Sequence, residues 1–124
     1  MRTELRAIAI CEFWQTAMEL VELSYTLARK LPNSERFRLV IQLQRAAVSV
    51  AANIAEGHGR RHLGDKLHHL SISNGSLKEV ETLLLISQRL EHLAAKDVDP
   101  ALELSDSLGR MPTVLRQRLE IRKK

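Results

Sequence analysis

Residues 42–59 read QLQRAAVSVAANIAEGHG, which joins an alanine-rich helix seam, a polar stripe and a glycine stop in one run. Arg45, Ser49, Asn53 and Glu56 recur at helical spacing, so on an α-helix they line one face beside an apolar one. Ala46, Ala47, Ala51, Ala52 and Ala55 are small enough for other helices to approach closely on two faces. Gly57 and Gly59 supply a C-terminal stop, and a polar, basic connection continues from His58 to Gly64. A helix of this kind is made to be packed on more than one side.

Upstream, residues 12–29 place Phe13, Ala17, Leu20, Val21, Leu27 and Ala28 on one face and predict a first helix, which Leu31, Pro32 and Asn33 end. Asn33 or Ser34 is expected to cap the second helix, with Glu35 in its first turn, where the helix dipole favours a negative charge. That helix extends to about Glu56, and Phe37, Val40, Ile41, Val48 and Ala51 or Ala52 continue its apolar stripe. Downstream, residues 65–93 predict a third helix. Leu67, Leu70, Leu77 and Leu84 form one stripe, while Ile72, Leu83, Ile86, Leu90 and Leu93 lie on others, more apolar girth than a three-helix monomer needs. Asp97 or Asp99 is expected to cap a fourth helix with Pro100 in its first turn. Leu102, Leu104, Leu108, Met111, Leu115 and Leu119 give it apolar positions, and Gly109 and Pro112 should bend or interrupt it. Short connections make neighbours antiparallel, so the expected fold is all-α, an antiparallel up-down-up-down four-helix bundle.

Composition agrees. Aromatic residues make up only 3% of the chain against 44% hydrophobic overall, which favours helix packing over a β-sandwich. The 124 residues fit one domain that needs neither disulfide nor metal to hold its core. Residues 1–11 form an N-terminal segment that need not be ordered, and residues 121–124 a basic tail. The lone Cys11 cannot form an internal disulfide, and a reducing cytoplasm fits it. The apolar patch at residues 7–11 is flanked by Glu4 and Glu12 and is too short for a signal core or a membrane span. The chain therefore reads as soluble and cytoplasmic. Its net charge of +4 makes a polyanionic partner plausible without requiring one.

Three segments, QLQRAAVSVAANIAEGHGR, NGSLKEVETLLL and the opening FWQTAMELVELSYTLARKLP, resemble the four-helix-bundle proteins encoded within intervening sequences of bacterial 23S ribosomal RNA genes. The resemblance spans most of the chain. It implies a bundle assembling as a ring-like homopentamer, and a kinship with accessory proteins of diversity-generating retroelements, which bind RNA and a reverse transcriptase. It does not imply an enzyme or a cofactor. Ala51 stands where members often carry proline, so a kink in the second helix is expected to be weaker or absent. His58 stands where an aromatic is common.

Other constellations have structural readings beside functional ones. Antiparallel pairing of helices two and three about the turn near Arg61 predicts Asn53 close to His69 and an ion pair between Arg45 and Glu81. That pair would fix helix register or make a ligand or subunit contact. Glu56, Glu79 and Glu81 have no companion nucleophile, so they read as capping or inter-helix groups, not catalysts. His58, His62, His68 and His69 do not share metal-ligand spacing: Gly59 interrupts the first two, and adjacent positions on a helix point about 100° apart. Gly57, Gly59 and Gly64 follow a helix and not a strand, so they are not a phosphate loop.

The functional candidates are two basic clusters. One is the connection with Arg60, Arg61, His62 and Lys66; the other is Arg116, Arg118, Arg122, Lys123 and Lys124 at the tail. In a cyclic oligomer either becomes a ring able to contact several phosphates and release their counterions. The expected function is a non-enzymatic homo-oligomer that binds structured RNA or an RNA–protein complex. Arg45, Ser49, Asn53, Glu56 and Glu81 would organise the bundle interior or a subunit interface. The alternative is a protein-interaction scaffold, such as a reverse-transcriptase accessory factor, without direct RNA affinity.

Overall fold

The computed structural model describes residues 2–115 and 117, with side chains from Ile10 onward. In chain order it contains α1 (Arg2–Ala28), a 3-10 turn (Asn33–Glu35), α2 (Leu39–Gly59), α3 (Leu63–Arg89) and α4 (Ala95–Gly109). Helix α1 packs on α2 and α4, and α3 packs on α2 and α4, with the α2–α3 contact the most extensive. The result is the expected up-down-up-down bundle. Both the α1–α2 and α3–α4 connections lie at one end, where Lys30 pairs with Asp97 at 3.1 Å and His92 lies 3.9 Å from Glu35.

The core is aliphatic. Ala17, Leu20 and Leu27 of α1 meet Leu43, Ala47, Val50 and Ile54 of α2, with Leu77, Val80 and Leu84 of α3 and Val98, Ala101 and Leu108 of α4. The alanines of α2 divide as their spacing dictates: Ala46, Ala47 and Ala51 are buried, while Ala52 and Ala55 are exposed.

Several boundaries differ from the sequence expectation. Helix α1 starts at Arg2, ten residues before Glu12. Neither Asn33 nor Ser34 caps α2: they belong to the 3-10 turn, three residues intervene, and the N-cap position is Arg38, which makes no side-chain cap. Phe37 therefore precedes α2 and is 73% exposed instead of joining the core stripe, and Val48 also faces outward. The buried stripe runs through Leu39, Leu43, Val50 and Ile54. Helix α4 starts at Ala95, which puts Pro100 in the second turn. Asp97 reaches back three residues to accept the Ala94 N–H at 3.1 Å. That bond, and then Lys30, hold the Asp97 carboxyl below its ordinary pKa. Gly109 ends α4 as expected, and helical backbone resumes at 111–115 after the turn at Arg110.

Helix α3 ends at Arg89, before Leu93, through a stop that contains no glycine. Glu91 adopts φ 62°, its N–H donates to the Gln88 carbonyl, and the His92 N–H donates to the Ser87 carbonyl, both at 2.9 Å. These are the two bonds of a Schellman motif with a glutamate in the left-handed position. An L-residue there is disfavoured by about 1–2 kcal/mol. Glu91→Gly is accordingly expected to raise stability by about 1 kcal/mol. A thermal melt should show a rise of about 3 °C, and an unchanged or lower midpoint would contradict this account of the stop.

Candidate functional site

The polar stripe of α2 lies along its seam with α3. The Ser49 and Ser76 hydroxyls share a hydrogen bond at 2.7 Å, and Asn53 Nδ2 donates to the Ser49 carbonyl at 2.9 Å and to its hydroxyl at 3.2 Å. This orientation leaves Asn53 Oδ1 facing His69 Nδ1 at 3.0 Å. Because an amide oxygen only accepts, Nδ1 is the donor in this contact, and Nε2 lies 3.8 Å from Glu56. Buried Ser73 donates to the Val50 carbonyl at 2.8 Å. The Asn53–His69 juxtaposition is as expected from the antiparallel register. Ser73 and Ser76 carry no sequence signal that distinguishes them from ordinary helix serines.

The Arg45–Glu81 pair does not form. Arg45 is exposed and makes no ion pair among the described residues. Glu81 turns the other way, accepting a hydrogen bond from Ser105 of α4 and pairing with Lys78 at 3.5 Å. Antiparallel pairing fixes which residues share a height along the bundle but not their angle about each helix axis. Glu81 therefore joins α3 to α4, not α3 to α2.

At the end of this seam the α2–α3 turn carries the first basic cluster. Arg60 pairs with Glu56 at 3.3 Å, a surface contact between groups one helical turn apart that contributes little to stability. Lys66 has a structural role: its ammonium donates to the His58 carbonyl at 3.1 Å, satisfying a backbone acceptor in the last turn of α2. Arg61 is exposed and has no ion pair among the described residues. His58, His62 and His68 are exposed around it. A shallow apolar recess lined by Ile10, Leu63, Leu67, Leu70 and Leu115 lies beside the turn. The second cluster, Arg116, Arg118, Arg122, Lys123 and Lys124, lies outside the described residues, as does the 121–124 tail.

The opposite end holds a basic set that the sequence scatters over three segments. Arg29, Lys30, Arg36 and Arg38 from the α1–α2 connection share that end with Arg89, the last residue of α3, and Lys96 in the first turn of α4, all exposed. The Arg36 guanidinium carbon lies 4.6 Å from the centroid of the Phe37 ring. Among the described residues no group of three His, Cys, Asp or Glu could hold a metal ion, and no helix is long and apolar enough to cross a membrane.

The same bundle is seen in a crystal structure of a protein of unknown function from the S23 ribosomal protein family of Bacteroides thetaiotaomicron VPI-5482. The TM-score is 0.76 and the identity 20%, over 82% of this chain and 96% of that one. No curated protein matches the sequence. The family model described as 23S rRNA-intervening sequence protein matches residues 10–113, which include α2, α3 and α4 whole and most of α1. With all three of those segments, three whole helices and most of the fourth inside that span, the chain belongs to the 23S rRNA-intervening sequence protein family.

Proposed function

We propose that this protein is a non-enzymatic homo-oligomer of the cytoplasm that binds structured RNA, alone or within an RNA–protein complex, through basic surfaces repeated around its assembly. The observation that carries the reading is the Arg60–Arg61 turn, exposed at one apex of the bundle with Glu56 and Asp65 the nearest acids in sequence. One such apex holds few charges. Several copies around an axis form a cationic ring, and each phosphate neutralised releases counterions. Assembly is supported by the outer side of α3, where Ile72, Ile86 and Leu90 are exposed at helical spacing. The exposed lone thiol of Cys11 suits a reducing compartment. Against catalysis stands the buried position of Ser105, the one serine bonded to a carboxylate among the described residues, which no substrate could reach without opening the core.

Arg60→Glu combined with Arg61→Glu is expected to lower affinity for a structured RNA by about 10-fold or more and to make its salt dependence shallower, with the melting curve unchanged. Binding titrations at several salt concentrations test this. Unchanged affinity would remove this apex from the interface. A wild-type protein that binds no RNA at low salt would leave the second reading, a protein-interaction scaffold for a reverse transcriptase or another partner, which the exposed apolar residues of α3 favour.

A further inference from the structure

We infer that Phe37, flanked by Arg36 and Arg38, is a stacking platform for an unpaired nucleobase, so that the bundle end remote from Arg60 and Arg61 takes single-stranded RNA. The inference rests on the RNA-binding proposal above and adds a ligand chemistry and a second site to it.

Among the described residues Phe37 is the most exposed of the large apolar side chains, at 73%. Burying a phenylalanine contributes roughly 1.5–3 kcal/mol, and the core lies one turn away, so folding alone gives no reason for this ring to face water. Isolated exposed apolar residues are ordinary. Phe37 differs in its surroundings: the Arg36 guanidinium lies over its ring, and exposed Arg29, Arg38, Arg89 and Lys96 share its end of the bundle. Of the acids there, Asp97 pairs with Lys30 and half-buried Glu35 lies 3.9 Å from His92, which leaves Glu91 and Asp99 exposed. The first turn of α2 contains no acidic residue. Cations around an aromatic face are the elements of single-strand recognition, in which the ring stacks on a base of any sequence and the cations hold the phosphates. Ile86 and Leu90, exposed near the same end of α3, make a second copy of the chain the competing occupant. A symmetric contact between two copies would set these arginines against each other, whereas a polyanion neutralises them.

The test compares two RNAs of equal phosphate number, a blunt duplex and a shorter stem closed by an unpaired loop, against wild type, Phe37→Ala, Phe37→Leu and Phe37→Trp. Phe37→Ala and Phe37→Leu are expected to weaken loop binding by about 5- to 100-fold, the range of one base–aromatic stack, and to leave duplex binding unchanged. Phe37→Trp should keep the affinity, and its fluorescence should be quenched by the loop RNA. Sedimentation should show the same oligomer for all four proteins. The inference is overturned if Phe37→Ala leaves loop affinity within twofold, weakens both RNAs equally, or changes the oligomeric state, which would assign the ring to a contact between copies. If Arg60→Glu with Arg61→Glu loses affinity while Phe37→Ala does not, this site falls and the first stands. If wild type binds neither RNA, both fall.

Discussion

Gly57→Leu is expected to cost about 3 kcal/mol of unfolding free energy, because α2 approaches α3 so closely there that even a Cβ would be in tight contact. A Cβ on Gly57 would lie 3.2 Å from the His69 Cβ and 3.2 Å from the Lys66 carbonyl oxygen. The second of these is main chain in the first turn of α3, which cannot move aside as a flexible side chain can. Gly57→Ala sets a gain against a loss: alanine is better than glycine within a helix by about 1 kcal/mol, and a shift of a few tenths of an ångström offsets that. A leucine adds three more carbons toward the same wall and gains nothing comparable. Urea unfolding of the three proteins should give Ala near wild type and Leu far below. A Leu midpoint equal to wild type would mean that the helices part freely here and that the contact does not hold the turn. The consequence reaches the candidate site, since the same contact sets where Arg60 and Arg61 emerge and keeps His69 against Asn53.

How much of this was legible in the sequence differs by kind of signal. The bundle was, because four amphipathic segments with short connections leave few other arrangements. The Asn53–His69 contact was legible because both residues lie close to a turn that fixes their register. Arg45 and Glu81 lie farther from it, and their separation depends on the angle each presents about its own axis, which spacing alone did not resolve. The end of α3 was hidden for a local reason: Glu91 holds the left-handed position that glycine usually marks. Phe37 was misplaced because residues 36–38 break the helix without glycine or proline, at an Arg38 with φ −123° and ψ −98°. The second basic end was invisible for a topological reason. Its cations stand up to 67 residues apart, as Lys30 and Asp97 beside them do, and only the fold brings their connections together.

Core and outer faces can be separated on one helix. Leu84 is fully buried and Leu85, the next residue, is 46% exposed, so the two probe opposite environments with the same chemistry. Leu84→Ala removes a side chain from the centre of the aliphatic core and leaves a cavity between helices already held close by small residues. The expected loss is about 3–4 kcal/mol, a fall in melting temperature of about 10 °C, at every protein concentration. Leu85→Ala in an isolated bundle should lose less than about 1 kcal/mol, since half of that side chain is already in water. If Leu85 is covered in an oligomer, its replacement weakens assembly instead, and the melting temperature falls more at low protein concentration than at high, by mass action. Equal and concentration-independent losses at both positions would mean that α3 is buried on a face that this bundle leaves open, and would overturn the assignment of Leu84 alone to the core.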